Sequence, residues 1–328
     1  MRRAPLATLL AAVLLSGGLG ACSDRQNESR PAAAPTVTSP VAGADRATPT
    51  QPPARPAPTV RSAVGTRQLA LHRGEDRPLP VTVWYPARGT AGGAPRPDAG
   101  VAAGRFPVVL FSHGLSGRPQ DYAPLLATWA AAGFVVAAPA YPHTSRDVPR
   151  FDVFDVINQP ADASQVLTAL LALDGRAGDP LRGHLDVGRV AAAGHSAGGI
   201  TTVGLFTAGR DPRLVAGIVL AGSALGVGTA FSGTSAPQLF VHGRLDDIVS
   251  YAAGKAAYDK VPWPKAMLSL PEGDHGGSLL RSGDRAFTVV ADTTVEFLRW
   301  TLYGDPAAKR RLPGEATRDG LAVLDNRL

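Results

Sequence analysis

The stretch Arg189–Ile200, RVAAAGHSAGGI, constrains this chain more than any other. An apolar run of strand character ends abruptly in Gly-His-Ser-Ala-Gly-Gly. A simple turn needs no glycine on both sides of a serine. A sharp bend that holds a serine hydroxyl outward does, because the backbones on its two sides press together and leave no room for side chains. The pattern predicts a strand, a bend with Ser196 at its apex, and then a helix. The serine itself must accept a strained conformation. A helix that starts just after it aims its N-terminus at the hydroxyl and favours negative charge there.

The rest of the chain supplies a sheet to carry such a bend. FPVVLFSHG, FVVAAPAYP, LVAGIVLAG, APQLFVHG and KAMLSL are short apolar runs. Continuous runs of this length read as strands buried on both faces. Between them, DYAPLLATWAAAG, ADASQVLTALLAL, the residues near Ala252 to Lys260, and Asp284 to Tyr303 have helical character. The alternation predicts an α/β fold, with a mostly parallel sheet covered by helices on both faces. Its crossovers should be right-handed, and its reactive groups should lie at the carboxyl ends of the strands. TRQLALHR and PVTVWYP alternate as earlier strands, and Ala87 to Gly104 reads as a loop.

The N-terminus has a different character. Arg2 and Arg3 precede an apolar run from Leu6 to Leu19, which ends in Leu19-Gly20-Ala21-Cys22. This reads as an export signal, too short for a stable membrane span. It resembles the bacterial lipoprotein signal, which implies lipidation of Cys22 and a lipid-anchored, extracytoplasmic protein. From Ser23 to about Arg61 the sequence is rich in Pro, Ala, Thr and Ser, the composition of an extended tether. The expected organisation is therefore a signal over 1–21, a tether over 22–61, a catalytic domain over 62–304 and a C-terminal tail over 305–328. Cys22 is the one cysteine, so no internal disulfide can form. The formal charge is +6, but the basic residues are scattered and not interleaved with aromatics, which argues against nucleic acid.

A serine hydroxyl is a poor nucleophile near neutral pH. It needs a base within hydrogen-bond reach and a third group to orient that base. On a sheet of this kind the chain order is serine, acid, histidine. LFVHGRLDDIVS offers Asp246 and Asp247 after a later strand, and LPEGDHGG offers His275 after the next. His72, His143, His184 and His242 show no metal-binding spacing, so neither a metal nor a cofactor is expected. His113 is read as shaping its turn, and His195 as packing beside the helix.

From about Phe106 to His275, the stretches FPVVLFSHGLSG, GFVVAAP, GHSAGG, HGRLDDIV and GDHGG resemble the α/β-hydrolases. The resemblance is nearest to the secreted esterase branch that includes bacterial polyester hydrolases and cutinases, plant chlorophyllases and platelet-activating-factor acetylhydrolases. It implies a catalytic triad of Ser196, Asp246 and His275. The H-G-x-x-D-x-x-V spacing favours Asp246 over Asp247. It also implies an oxyanion hole from the backbone N–H groups of Leu115 and Ala197. Leu115, Tyr141, Ala197, Phe231 and Ile248 are the expected cleft lining. Polyester hydrolases often carry an aromatic residue where Leu115 stands, a methionine where Ala197 stands, and disulfides. This chain departs on all three counts. SALGVGTAFSGTSA, from Ser223 to Ala236, is too short for a helical cap, so no sizeable lid is expected. The implied activity is a monomeric serine carboxylic-ester hydrolase for short- to medium-chain esters. Polyester or cutin hydrolysis, acyl transfer by the same triad, and a non-catalytic surface-binding lipoprotein are the alternatives.

Overall fold

A computed structural model of the chain describes residues 53–328. The export signal, Cys22 and most of the expected tether lie outside the described residues. The strands are β1 (Ala63–His72), β2 (Pro78–Ala87), β3 (Arg96–Pro97), β4 (Phe106–Ser112), β5 (Val135–Pro139), β6 (Leu185–His195), β7 (Leu214–Leu220), β8 (Gln238–Gly243), β9 (Lys265–Leu270) and β10 (Val323–Arg327). They form one sheet in the order β10-β9-β8-β7-β6-β4-β5-β2-β1-β3. The run from β9 to β5 is parallel, whereas β2 joins β5, and β10 joins β9, antiparallel.

The helices are α1 (Ala123–Ala131), α2 (Gln159–Leu171), α3 (Ala197–Gly204), α4 (Tyr251–Lys260), α5 (Arg285–Leu298) and α6 (Pro306–Thr317), with a short helical turn at Gly277–Leu280. Strand periodicity decides which helix covers which residues, because successive side chains point to opposite faces. Val109 and Phe111 of β4, with Ala191 and Ala193 of β6, pack under Trp129 of α1 and Phe297 of α5. Val108, Leu110 and Ala192 point the other way, toward Val166 and Leu170 of α2. Further along that face, Val219, Phe240 and Met267 meet Ile200 of α3 and Tyr258 of α4. Each fully buried side chain of this size contributes about 1.5–3 kcal/mol. Trp129 Nε1 donates to Thr294 Oγ1 at 2.9 Å, so the largest core residue leaves no unpaired donor between α1 and α5.

Both ends of the domain extend past the expected boundaries. The segment after Gly304 is no tail. Asp305 caps α6 through Ala307 N at 2.8 Å, and Leu312 and Ala316 enter the core. β10 then closes the sheet edge, and Tyr258 Oη donates to Asp325 at 3.0 Å. An edge strand is half solvated and tolerates charge, so its sequence carries little apolar alternation. At the other end, residues 53–61 lie against the domain. Arg55 pairs with Asp186 at 2.9 Å, and Arg299 Nη2 donates to Pro58 O at 3.0 Å. These contacts run from arginines to acids and backbone carbonyls, so hydrophobic periodicity does not reveal them.

Deleting residues 305–328 should lower the melting temperature by roughly 5 °C or more, or leave the protein insoluble. An unchanged thermal melt of the truncated protein would contradict the integral role of α6 and β10.

Candidate active site

β6 runs near the middle of the sheet, and its last residue leads directly into the bend. Ser196 sits at φ 56°, ψ −119°, a sparsely populated conformation for a residue with a side chain. The packing around it requires glycine. A Cβ at Gly194 would overlap the carbonyl oxygen of Gly198, and one at Gly198 would overlap that of Ser112. The Ser196 N–H donates to Leu220 O of β7 at 2.9 Å, which fixes the apex against the neighbouring strand.

The other two groups arrive from β8 and β9. Asp246 lies in the turn after β8, where Oδ1 accepts from Ile248 N at 2.9 Å and Val249 N at 2.8 Å. Its Oδ2 accepts from His275 Nδ1 at 2.8 Å, and His275 Nε2 lies 2.8 Å from Ser196 Oγ. A carboxylate only accepts, so the proton of His275 sits on Nδ1 and its Nε2 is free to take the serine hydrogen. The Asp246 side chain is fully buried, while that of His275 is 18 % exposed. Burial alone would raise the Asp246 carboxyl pKa. Hydrogen bonds from His242, His275 and the Val249 N–H outweigh burial and hold it well below the usual carboxylate range. Asp247, the alternative acid, is exposed on the same turn.

β4 pairs with β6 in a register that sets Ser112 opposite Gly194, so the turn after β4 abuts the bend. A Cβ at Gly114 would lie 3.1 Å from Ser196 Cβ. In that turn Gly114 N donates to Tyr122 Oη, Ser116 N to Thr144 O, and Gly117 N to Gly114 O. The Leu115 N–H is left with no protein acceptor among the described residues. The Ala197 N–H is likewise unspent, as a first-turn donor of α3. Leu115 directly follows the Gly114 that abuts Ser196, and Ala197 directly follows the serine, so both unspent donors lie in the chain next to it.

Two expected lining residues lie elsewhere. The Tyr141 side chain is fully buried, and its Oη pairs with Ser112 Oγ at 2.8 Å. It supports the turn from beneath. Phe231 packs on Trp263, ring centroids 5.8 Å apart, beside Phe206 beyond the end of α3. Trp263 precedes β9, so this cluster lies at the amino ends of the strands, away from Ser196. The connection from β7 to β8 must return the chain to that edge to start a parallel strand, and Phe231 falls on the return. The same connection contains no helix. Leu115 and Ile248 are half-buried near the site, and Ala197 is buried under it.

Buried polar side chains surround the site; the sequence places His113 in its turn and His195 beside the helix, but not the partners they bond. His242 Nε2 donates to Val249 O at 2.8 Å and lies 3.2 Å from Asp246 Oδ2. His195, inside the bend, bonds Tyr122 Oη at 2.9 Å and His275 O at 2.7 Å. His113 bonds Gly114 O through Nδ1 at 2.7 Å, and its Nε2 accepts from Tyr141 N at 3.1 Å. His242 opens the H-G-x-x-D spacing that marks Asp246, and that spacing is the sequence signal for its place beside the carboxylate. Among the described residues, no group of three His, Cys, Asp or Glu side chains could hold a metal.

The sheet order, the strand–bend–helix at Ser196 and the Ser-Asp-His chain order define an α/β-hydrolase fold. The chlorophyllase family profile matches residues 96–221, a span that includes Ser196 but ends before Asp246 and His275. No curated protein matches the chain significantly. Among solved structures, a ferulic acid esterase from Streptomyces cinnamoneus superimposes with a TM-score of 0.62 and 21 % identity, covering 82 % of this chain and 98 % of that one.

Burial lowers the His113 pKa to about 4 and the His195 pKa to about 3, so both rings stay neutral in the folded protein. The unfolded chain protonates them near the ordinary value of about 6.5. Below that pH the unfolded state binds more protons, and stability is lost as pH falls toward those lowered values. Each histidine should cost about 2 kcal/mol of stability by pH 5. Urea melts at pH 7 and pH 5 measure this, and equal midpoints would contradict it.

Proposed function

We propose that this protein is a serine carboxylic-ester hydrolase. The observation that carries the reading is the continuous line Ser196 Oγ–His275–Asp246, both links 2.8 Å, with two free N–H donors beside the serine. Ser196 Oγ attacks the ester carbonyl carbon as His275 Nε2 takes its proton. The carbonyl oxygen gains negative charge and is held by the N–H groups of Leu115 and Ala197, neither of which has another acceptor to give up. Asp246 keeps His275 oriented and stabilises the imidazolium. The proton passes to the leaving alcohol as the tetrahedral species collapses, leaving an acyl group on Ser196. Water, deprotonated by His275, attacks that carbonyl. The acid leaves and the proton returns to Ser196.

Exposed apolar side chains on the connections that leave the carboxyl edge of the sheet favour an apolar ester. Of the seven exposed large hydrophobic side chains among the described residues, Phe151, Phe154 and Ile157 follow β5 and Leu245 follows β8. These connections leave the carboxyl ends of strands on either side of β6. The chain between β7 and β8 carries no helix to cover them. Short and medium acyl chains fit this open arrangement. It also leaves room for a longer polymer lying across the site, which supports polyester or cutin hydrolysis as the second reading. The ferulic acid esterase takes its name from an ester of an aromatic acid, a substrate class that fits the same apolar flanks.

Ser196→Ala should lose on the order of 10⁴-fold or more in kcat against p-nitrophenyl butyrate while its thermal melt stays near that of the wild type. Asp246→Asn should lose on the order of 10³-fold or more, whereas Asp247→Asn should stay within about twofold. Near-normal turnover in Ser196→Ala would remove the mechanism. The reverse order of the two aspartate variants would remove the assignment of the acid. Release of soluble acids from a polyester film by the wild type, and none by Ser196→Ala, would establish the second reading.

A further inference from the structure

Tyr122 and His195 join the two turns that the reaction brings together. Tyr122 stands at the start of α1, and its hydroxyl receives the Gly114 N–H at 2.9 Å. The same hydroxyl lies 2.9 Å from His195 Nδ1, and His195 Nε2 lies 2.7 Å from the backbone oxygen of His275. The hydrogens of this chain can be assigned. A carbonyl oxygen only accepts, so His195 Nε2 carries its proton. Burial keeps the ring neutral, with a pKa of about 3, so Nδ1 is bare and accepts. Tyr122 Oη–H therefore donates to Nδ1 and uses a lone pair for Gly114 N–H. Burial also raises the pKa of the Tyr122 hydroxyl, which keeps its proton in place. Every bond runs in one sense, from Gly114 through Tyr122 to His195, while His195 separately donates to His275.

The bridge touches the machinery at both ends. Gly114 precedes Leu115, whose N–H is the free donor of its turn. Binding Gly114 N–H to Tyr122 fixes the peptide immediately before the one that carries that donor, so the Gly114 Cα from which the donor peptide leaves is held in place. At the other end the His195 ring lies 4.9 Å from the His275 ring, centroid to centroid, and holds the same residue's carbonyl. A neutral ring there adds no repulsion when His275 becomes charged.

We infer that Tyr122 and His195 are positioning residues that lock the Leu115 donor and the His275 base into one shared geometry. This inference rests on the ester-hydrolase reading above. The bridge touches no substrate. It acts by holding the base and the oxyanion donor at the separation the transition state requires, where small displacements cost much rate.

The test begins with active-site titration of the wild type and variants by a fluorophosphonate, followed by kcat and KM per titrated site. Tyr122→Phe removes one oxygen and keeps the ring. It should lower kcat by on the order of tenfold to a hundredfold and leave KM within about twofold. His195→Gln keeps an N–H that can reach His275 O, and should fall between the wild type and His195→Ala in kcat. A purely structural role predicts fewer titratable sites with unchanged kcat per site. Wild-type kcat per site in Tyr122→Phe would overturn the inference and leave the hydrolase reading standing. If Tyr122→Phe does not fold, equal kcat per site in the wild type, His195→Gln and His195→Ala would overturn it instead. Failure of the wild type to react with the fluorophosphonate at Ser196 would overturn both.

Discussion

At Gly198 a single added methyl group would overlap the carbonyl oxygen of Ser112. The architecture of the site depends on this backbone-to-backbone approach between the bend after β6 and the end of β4. Because β4 and β6 are paired with Ser112 opposite Gly194, the turn that offers the Leu115 N–H adjoins the serine. The same closeness forces Ser196 into positive φ and leaves its hydroxyl at the apex. Strain of this kind costs on the order of 1–3 kcal/mol and persists because the surrounding core over-determines it. Parallel neighbours β7, β8 and β9 end at the same edge of the sheet, and they bring Asp246 and His275 to the apex.

Around that apex three buried histidines act in a common way. His113, His195 and His242 each bond a backbone carbonyl of a site turn, namely Gly114, His275 and Val249. A buried imidazole can satisfy one carbonyl and still present a second nitrogen to another group. It can therefore hold two segments that a serine or an amide would hold less rigidly. His113 uses its second nitrogen on Tyr141 N, and His195 on Tyr122. His242 shares its donor between Val249 O and the carboxylate of Asp246. Of the four rings at the apex, His275 alone is partly open to solvent, as the proposed exchange of protons with substrate and water requires.

Much of this was legible in the sequence, for reasons that can be given residue by residue. FPVVLFS and KAMLSL are strands because parallel strands buried on both faces must be apolar throughout. Gly194 and Gly198 announce the bend because only glycine survives the backbone contact there. Two of the expected lining residues misled because chain proximity is not spatial proximity. Phe231 follows β7 by few residues, yet a parallel crossover carries it to the opposite edge. Tyr141 follows β5, but its hydroxyl satisfies buried Ser112 rather than facing solvent. The folded segments 53–61 and 305–328 stayed hidden because arginine-to-carbonyl bonds and an edge strand leave no periodic signature. The Tyr122–His195 bridge was equally hidden, since 73 positions separate its members.

In the proposed mechanism, ester cleavage passes through an acyl group on Ser196. Mixing the enzyme with p-nitrophenyl butyrate, quenching in acid within the first turnover and mapping the mass of each peptide tests it directly. The account predicts a butyryl group on the peptide that contains Ser196 and on no other, formed in step with the first equivalent of p-nitrophenol. Butyryl found on a different residue during turnover would contradict it.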